Sequence, residues 1–353
     1  MYYVSAEHLE NIIRMTLHRH GLSDEHAEYV VQGLIEPSLR GIDTHGVRLF
    51  ETYIKELEGG RSAVSPQIQI RYSTASVVCV DAGNALGLVA GRVASQLAVE
   101  TARTTGIAAV AVRNSNHYGA ASYYTLSIAR EGFIGMSFTN SDALVAPHNG
   151  RLKLFGTNPI SFAVTASGGE KFCLDMATSQ VSFSRILEYI RVGRQLEPGW
   201  AIDDHGDDAA VSHNAASLLP LGGYKGQGLA MMVEILTSLL TGMPYDHEAS
   251  HLYAEPYDIP RKVSHFFIAL DIECFTNSAL FRDRLRTLIE VTRQNAAKGE
   301  EPVRVPGDLE EEEVCRRRET GIPLTRKEFE FFQSCADELG FPLQKQESSG
   351  ISL

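Results

Sequence analysis

Hydrophobic and polar positions change period along the chain. Two helical stripes come first, Leu9, Ile12, Ile13 and Leu17 behind Ser5, then Ala27, Val30, Val31, Leu34 and Ile35 behind Ser23. A serine just ahead of an apolar stripe of period 3.6 is a helix start, because its hydroxyl accepts from an N–H of the first turn, and Gly21 closes the first helix. A third stripe, Val47, Phe50, Ile54 and Leu57, predicts a helix from about His45 to Leu57, stopped by Gly59-Gly60. From Ser76 the pattern becomes short β-branched runs separated by helical stretches. Strands are predicted at Val77–Val80, Ile107–Val112, Ile134–Thr139, Ile160–Val164 and Phe172–Met176, and helices at Leu86–Thr101 and Tyr123–Arg130. The last two strands lie close enough across Ala166 to Lys171 to form a hairpin, so the sheet is expected to be mixed. Gly193 to Ser217 reads as an exposed loop, and Leu229, Met232, Val233, Leu236 and Leu240 as the apolar face of a helix. Val263–Leu270 is a further buried strand. Helices follow from Ser278 to about Asn295 and from Leu309 to Arg318. A last one is opened by the capping box Thr325/Glu328 and buries Phe329, Phe332, Cys335 and Ala336.

The 353 residues are enough for two domains or one large α/β unit. A formal charge of −12 speaks against a nucleic-acid or anionic-membrane partner, each of which needs a basic face. Glu7, His8, Glu10 and Arg14 interrupt the segment where a signal peptide would be apolar, and Glu234 breaks the longest apolar run, Leu229 to Leu240. The expectation is a soluble, cytoplasmic protein. Its five cysteines are odd in number and never spaced as C-x-x-C, so neither a disulfide framework nor a zinc knuckle is expected.

Three stretches carry candidate chemistry. Asn114-Ser115-Asn116-His117-Tyr118-Gly119 joins a buried strand to a helix, which puts His117 where α/β sheets expose reactive groups. The two asparagines also suit a plain turn. In Gly41-Ile42-Asp43-Thr44-His45-Gly46-Val47-Arg48, His45 and Arg48 lie on one face of the predicted helix near its N-terminus, where a carboxylate can dock. The alternative is a simple cap by Asp43 or Thr44 with a solvated Arg48. Gly222-Gly223-Tyr224-Lys225-Gly226-Gln227-Gly228 opens a helix with four glycines around one lysine, an arrangement that lets backbone N–H groups and a cation meet a phosphate. Tight packing of that helix on the sheet would use the same glycines. Neither G-x-G-x-x-G after a strand nor G-x-x-x-x-G-K-[ST] occurs, so the ordinary dinucleotide fingerprint and the P-loop are absent. No close metal-ligand spacing links His45, His117 and His148, and no metal is expected.

Taken in order, His45 to Arg48, Asn114 to Gly119, Gly156-Thr157-Asn158-Pro159, Leu174 to Ser179 and the Gly222 to Gly228 cluster resemble the malate/L-lactate dehydrogenase family of NAD(P)-dependent oxidoreductases, from about Ser5 to Leu339. The resemblance implies an α/β protein with a mixed-sheet, non-Rossmann cofactor domain at 73–274. Both chain ends, 1–72 and 275–345, would build a helical domain, and the protein would be a homodimer. It further implies His117, His45 and Arg48 as catalytic residues, and a cofactor site lined by Ser141, Asp175, Met176, Ala177, Tyr224, Lys225, Val305, Pro306 and Gly307. The cofactor would be NAD or NADP, and the reaction the interconversion of a small 2-oxo acid and its 2-hydroxy acid. Reduction of a cyclic imino acid such as piperideine-2-carboxylate, or a nucleotide-binding homologue without turnover, are the alternatives. Pro147-His148-Asn149-Gly150 and Gln180 to Ser184 depart from the family pattern. The residue types match the task. A histidine titrates near operating pH and can move the hydroxyl proton, and a guanidinium can pair a carboxylate in two parallel bonds.

Overall fold

The computed structural model describes residues 1–209 and 215–344. In chain order the elements are β1 (Tyr2–Val4), α1 (Ala6–Arg19), α2 (Asp24–Leu39), α3 (Phe50–Gly59), β2 (Gln69–Tyr72), β3 (Val77–Asp81), α4 (Gly87–Thr105), β4 (Ile107–Ser115), α5 (Ala121–Arg130), β5 (Phe133–Thr139), β6 (Ile160–Thr165) and β7 (Lys171–Met176). There follow α6 (Phe183–Val192), β8 (Ala201–Ile202), β9 (Ser217–Leu218), α7 (Tyr224–Glu234), β10 (Val263–Asp271), α8 (Ser278–Arg293), α9 (Asp308–Thr320), β11 (Ile322–Leu324) and α10 (Arg326–Leu339).

Among the described residues the central sheet has seven strands in the order β2-β3-β4-β10-β5-β6-β7. Only β3 and β4 pair in parallel, and the βα unit between them carries α4 as its crossover. β10 arrives late in the chain and inserts antiparallel between β4 and β5. β6 and β7 form the anticipated hairpin. The sheet is therefore mixed. The expected capping devices are in place. Ser5 accepts from His8 N, Ser23 accepts from His26 N, and Thr325 and Glu328 cap α10 reciprocally.

The two chain ends meet, because β1 pairs antiparallel with β11. Neither of these short strands, nor the edge strand β2, was evident from the residue pattern. One continuous hydrophobic core runs from α1, α2 and α3 through α4 and β3–β4 to β11 and α10. The five cysteines are all free. No helix among the described residues is long and apolar enough to cross a membrane.

Three expectations are corrected. The third helix does not begin at His45. Asp43–His45 and Val47–Leu49 are separate single 3-10 turns, broken at Gly46, whose backbone (φ −99°, ψ −148°) is not helical. A Cβ at Gly46 would fall 2.0 Å from Ser38 Oγ, so the chain can lie this close to α2 only with glycine there. Gly193 to Ser217 is not simply an exposed loop: Leu196, Ala201 and Ala209 are buried in one cluster with Tyr189 of α6, and β8 pairs with β9, although 210–214 lie outside the described residues. The unusual Gln180 to Ser184 stretch leads into α6, with Ser182 as its N-cap.

The third correction concerns α7 and the π turn that prolongs it, Ile235–Leu239. The side buried against the sheet carries Gly226, Ala230, Val233, Glu234, Thr237 and Ser238, whereas Met231, Met232, Ile235, Leu239 and Leu240 point outward. Of the predicted stripe, Val233 and Leu236 pack on the sheet with Phe138 and Phe266, Leu229 is half-buried, and Met232 and Leu240 are exposed.

Candidate active site

His117 follows the end of β4 and is held from both sides. Asn116, fully buried, donates through Nδ2 to Ala85 O (3.0 Å), and Tyr118 is sunk into the core, stacked on His265 at 4.4 Å between ring centres. A Cβ at Gly87 would meet His117 O at 2.3 Å, so the start of α4 touches the turn directly. The asparagines do serve the turn, Asn114 with a left-handed φ of 53° and its amide on Asp81, and that turn is what presents His117.

His45 reaches the same place from the other end of the fold. Its turn is pinned by Val47 N donating to Ser38 Oγ (2.9 Å) and by Arg317 of α9, which grips both carboxylate oxygens of Asp43. The two imidazoles stack with ring centres 5.6 Å apart and planes 24° from parallel. His45 Nδ1 pairs with Thr44 Oγ1 at 2.8 Å, and His117 Nδ1 with the Tyr53 hydroxyl of α3 at 2.9 Å. Burial pushes the Tyr53 phenol well above its ordinary range, so it keeps its proton at any working pH.

The surroundings treat the two histidines differently. Burial lowers the pKa of both. His117 is pushed well down, because His45, Arg261 and His265 add positive potential around it, whereas His45 feels the Asp175 carboxylate, which opposes its depression. Asp43–His45 is a single 3-10 turn with no long helix behind it, so no helix dipole acts on His45.

Arg48 does not share a helix face with His45. With Gly46 breaking the helix, its side chain turns to Glu328 of α10, Nε to Oε1 at 2.9 Å, and stays 45% exposed. Its charge still reaches Tyr253, whose phenol burial pushes up.

Several participants left no motif. Tyr53 lies on the apolar stripe of α3, three residues after Phe50, and a hydroxyl on such a stripe was the available signal. Arg261, almost fully buried, donates Nη2 to Asp142 Oδ1 (2.5 Å) and Nε to Ser250 O (3.0 Å), and its backbone N reaches Asn116 Oδ1 (3.4 Å). It ties the 249–262 segment to the His117 turn. Nothing local in the sequence points to that tie.

The residues expected around a cofactor fall on neighbouring segments. Asp175, near the end of β7, accepts from Ser122 N (2.8 Å) in the first turn of α5, the positive end of that helix. Beyond Met176 and Ala177, Thr178 donates to Thr157 O and accepts from Leu221 N (2.9 Å), which brings this stretch against the entry to α7. Ser141 Oγ accepts from Thr157 N (3.1 Å). Tyr224 and Lys225 are exposed in the first turn of α7, behind Gly222 and Gly223, both at left-handed φ, and no side chain caps that helix. Its open N–H groups and Lys225 suit an anion of phosphate type. Val305-Pro306-Gly307 lies farther along β7, where Pro306 O accepts from Cys173 N (3.0 Å) and Gly307 (φ 107°) opens α9. Among the described residues, no group of three His, Cys, Asp or Glu side chains is arranged to hold a metal ion.

The sequence profile of the malate/L-lactate dehydrogenase family matches residues 4–333. The chain belongs to that family. Among relatives of this malate/L-lactate dehydrogenase family member is a malate dehydrogenase of Pyrococcus abyssi, 36% identical over 348 residues, 96% of this chain and 95% of the relative. An NAD(+) ureidoglycolate dehydrogenase of Escherichia coli is 30% identical over 94% of this chain and 95% of its own. The solved sulfolactate dehydrogenase of Methanocaldococcus jannaschii superposes with a TM-score of 0.91 at 28% identity, covering 96% of this chain and 98% of that one. The family is one of oxidoreductases, and the mixed, non-Rossmann sheet found here is shared with its solved members.

Proposed function

We propose that this chain is a nicotinamide-dependent 2-hydroxy acid dehydrogenase, with His45 and His117 acting as one acid/base pair. The observation that carries the reading is the stacked pair itself: two imidazoles from distant parts of the chain, half-buried, with the Nδ1 of one held by Tyr53. The relatives named above are dehydrogenases of 2-hydroxy acids, which supports the substrate class. A bound nicotinamide supplies the hydride acceptor or donor, and the open first turn of α7 with Lys225 is suited to its phosphates, Ser141 and Asp175 to Ala177 to the rest of it.

Tyr53 fits either direction of such a reaction. In the protonated ring Nδ1–H donates to the phenol oxygen and the Nε2 proton passes to the oxygen of a 2-oxo acid as hydride reaches its carbon, leaving the ring neutral. When Nδ1–H donates to the phenol oxygen, Nε2 is free to take a hydroxyl proton. Arg48, exposed and bound to Glu328 through Nε, is the cation assigned to the substrate carboxylate, since a guanidinium can pair a carboxylate in two parallel bonds.

We also propose that the outward face of α7 and its π turn pairs with a second copy of the chain. Met231, Ile235, Leu239 and Leu240 are 44%, 49%, 49% and 60% exposed along one helix, a row of apolar side chains that water solvates poorly.

The deciding experiment follows absorbance at the nicotinamide band with NADH and NADPH against a panel of 2-oxo acids and cyclic imino acids. Turnover of a 2-oxo acid is expected. Turnover of a cyclic imine alone would replace the substrate class, and no turnover with any member would leave a nucleotide-binding protein.

A further inference from the structure

Glu234 and Asp246 form a buried acid pair outside the acid/base site. Asp246 is fully buried and Glu234 nearly so. Asp246 N donates to Glu234 Oε1 at 3.0 Å, and Asp246 Oδ2 accepts from Gly156 N (2.8 Å) and Asn158 Nδ2 (2.7 Å). Asn158, at a left-handed φ of 35°, also donates to Ala230 O of α7 (3.2 Å). Thr157, between them, donates to Ser141 Oγ and accepts from Thr178. One carboxyl pair thus connects Ser141, the stretch after Asp175 and the helix that begins with Tyr224 and Lys225.

Two adjacent carboxylates out of water cannot both carry charge cheaply. Asp246 Oδ1 is buried without a hydrogen bond of ordinary geometry, and a proton on Glu234 gives it a donor. Among the described residues, a third carboxylate, Glu248, also acts on Glu234, and its Oε2 accepts from Tyr245 N. Asp246 is faced by the neutral Asn140, Asn158 and Gly156 N. The sheet beneath α7 offers apolar side chains, Ala111 of β4, Phe138 of β5 and Phe266 of β10, while His265, one position along β10, stacks on Tyr118 instead.

We propose that Glu234 and Asp246 share one proton and act as a positioning latch that holds together the segments lining the cofactor cleft, so that cofactor binding loosens when the shared proton is lost. The inference rests on the cofactor reading above. Burial first, then the Asp246 charge, pushes the Glu234 carboxyl up to about 8, and burial raises Asp246 as well. The sign follows from linkage. Between about pH 4.5 and 8 the folded protein holds a proton that the unfolded chain has released, so stability falls as pH rises through that window and the latch opens above it.

The test titrates NADH and NADPH by fluorescence, and records thermal melts, from pH 6 to 9.5 for the wild type and Glu234→Gln. The glutamine Nε2 donates permanently to Asp246 while Oε1 still accepts from Asp246 N, so it mimics the protonated pair. Wild-type Kd is expected to rise about tenfold over one pH unit above the latch pKa, following proton linkage. The variant should change by less than about twofold, a single titrating group having been removed. Wild-type Tm should fall more steeply with pH than that of the variant. Parallel profiles for the two proteins, in Kd and Tm, would overturn the latch. Should Glu234→Gln fail to fold, Asp246→Asn removes the second carboxyl while leaving an oxygen for Gly156 N, and the same flattening is expected. If neither cofactor binds the wild type at any pH, the cofactor reading fails, and the difference in Tm profiles still decides whether the proton is shared.

Discussion

Arg48 Nε lies 2.9 Å from Glu328 Oε1, so the cation best suited to a substrate carboxylate is held, without substrate, by the residue that caps the last helix through Thr325 N. In the proposed role of Arg48, an incoming carboxylate competes with Glu328. Arg48→Lys keeps the charge and loses the two-pronged geometry. KM for the preferred 2-oxo acid should rise ~10–100-fold, the loss of one charge-assisted hydrogen bond, with kcat changed far less. An unchanged KM would remove Arg48 from substrate binding.

The histidine pair makes a prediction with a definite sign. Both rings are held below the ordinary histidine pKa, so below about pH 6.5 the unfolded chain binds protons that the folded one does not. Stability contributed by the neutral pair is present above that pH and is lost as pH falls further. Melts at pH 7 and pH 5 should show a lower Tm in acid, by a margin that shrinks in His117→Asn. In the rate profile the acid limb should lie below pH 6.5. His117→Ala should abolish it, since His117 Nε2 is the atom proposed to move the substrate proton. Tyr53→Phe, which deprives His117 Nδ1 of its partner, should cost about tenfold in kcat, roughly one hydrogen bond. An acid limb that survives His117→Ala and disappears with His45→Ala would pass the acid/base role to His45.

Lys225→Ala should weaken NADH or NADPH binding while leaving the melt unchanged, because Lys225 is exposed at the first turn of α7 and supports no core contact. The expected loss is about tenfold in Kd, in the range of one charge-assisted contact. Equal Kd values for variant and wild type, with both cofactors, would remove phosphate binding from the glycine cluster.

Introducing charge on the outward face of α7, as in the double variant Ile235→Glu, Leu239→Glu, should leave a folded monomer if that face is the pairing surface. Sedimentation of the wild type and the variant at one concentration reads the difference. A wild-type monomer, or a dimer indifferent to the two substitutions, would leave that apolar row without its proposed partner.

Much of the local structure was legible in the residues. Ser5, Ser23 and the Thr325/Glu328 box mark real helix starts, and the β-branched runs mark real strands, because capping and alternation are decided by neighbours in sequence. The motifs around His117 and Lys225 were legible too, since a strand-to-helix turn and a glycine-framed helix start are local geometries. What tertiary structure alone decided involves surfaces from distant parts of the chain. The insertion of β10 between β4 and β5 creates the sheet on which both sites rest, and no periodicity within Val263 to Asp271 could choose those partners. Gly46 broke the predicted helix because Ser38 of α2 leaves no room for a side chain, and this separated Arg48 from His45. The stacking of His45 on His117 arises where α2, α3 and Arg317 of α9 converge, and Arg261 joins it from a loop with no pattern of its own. The stripe on α7 was read correctly as apolar, and Val233 and Leu236 of it pack on the sheet while Met232 and Leu240 stay exposed. Periodicity reports that a helix has two faces, and the groups packed against it, here Asp246, Gly156 and Asn158 around Glu234, decide which one is buried.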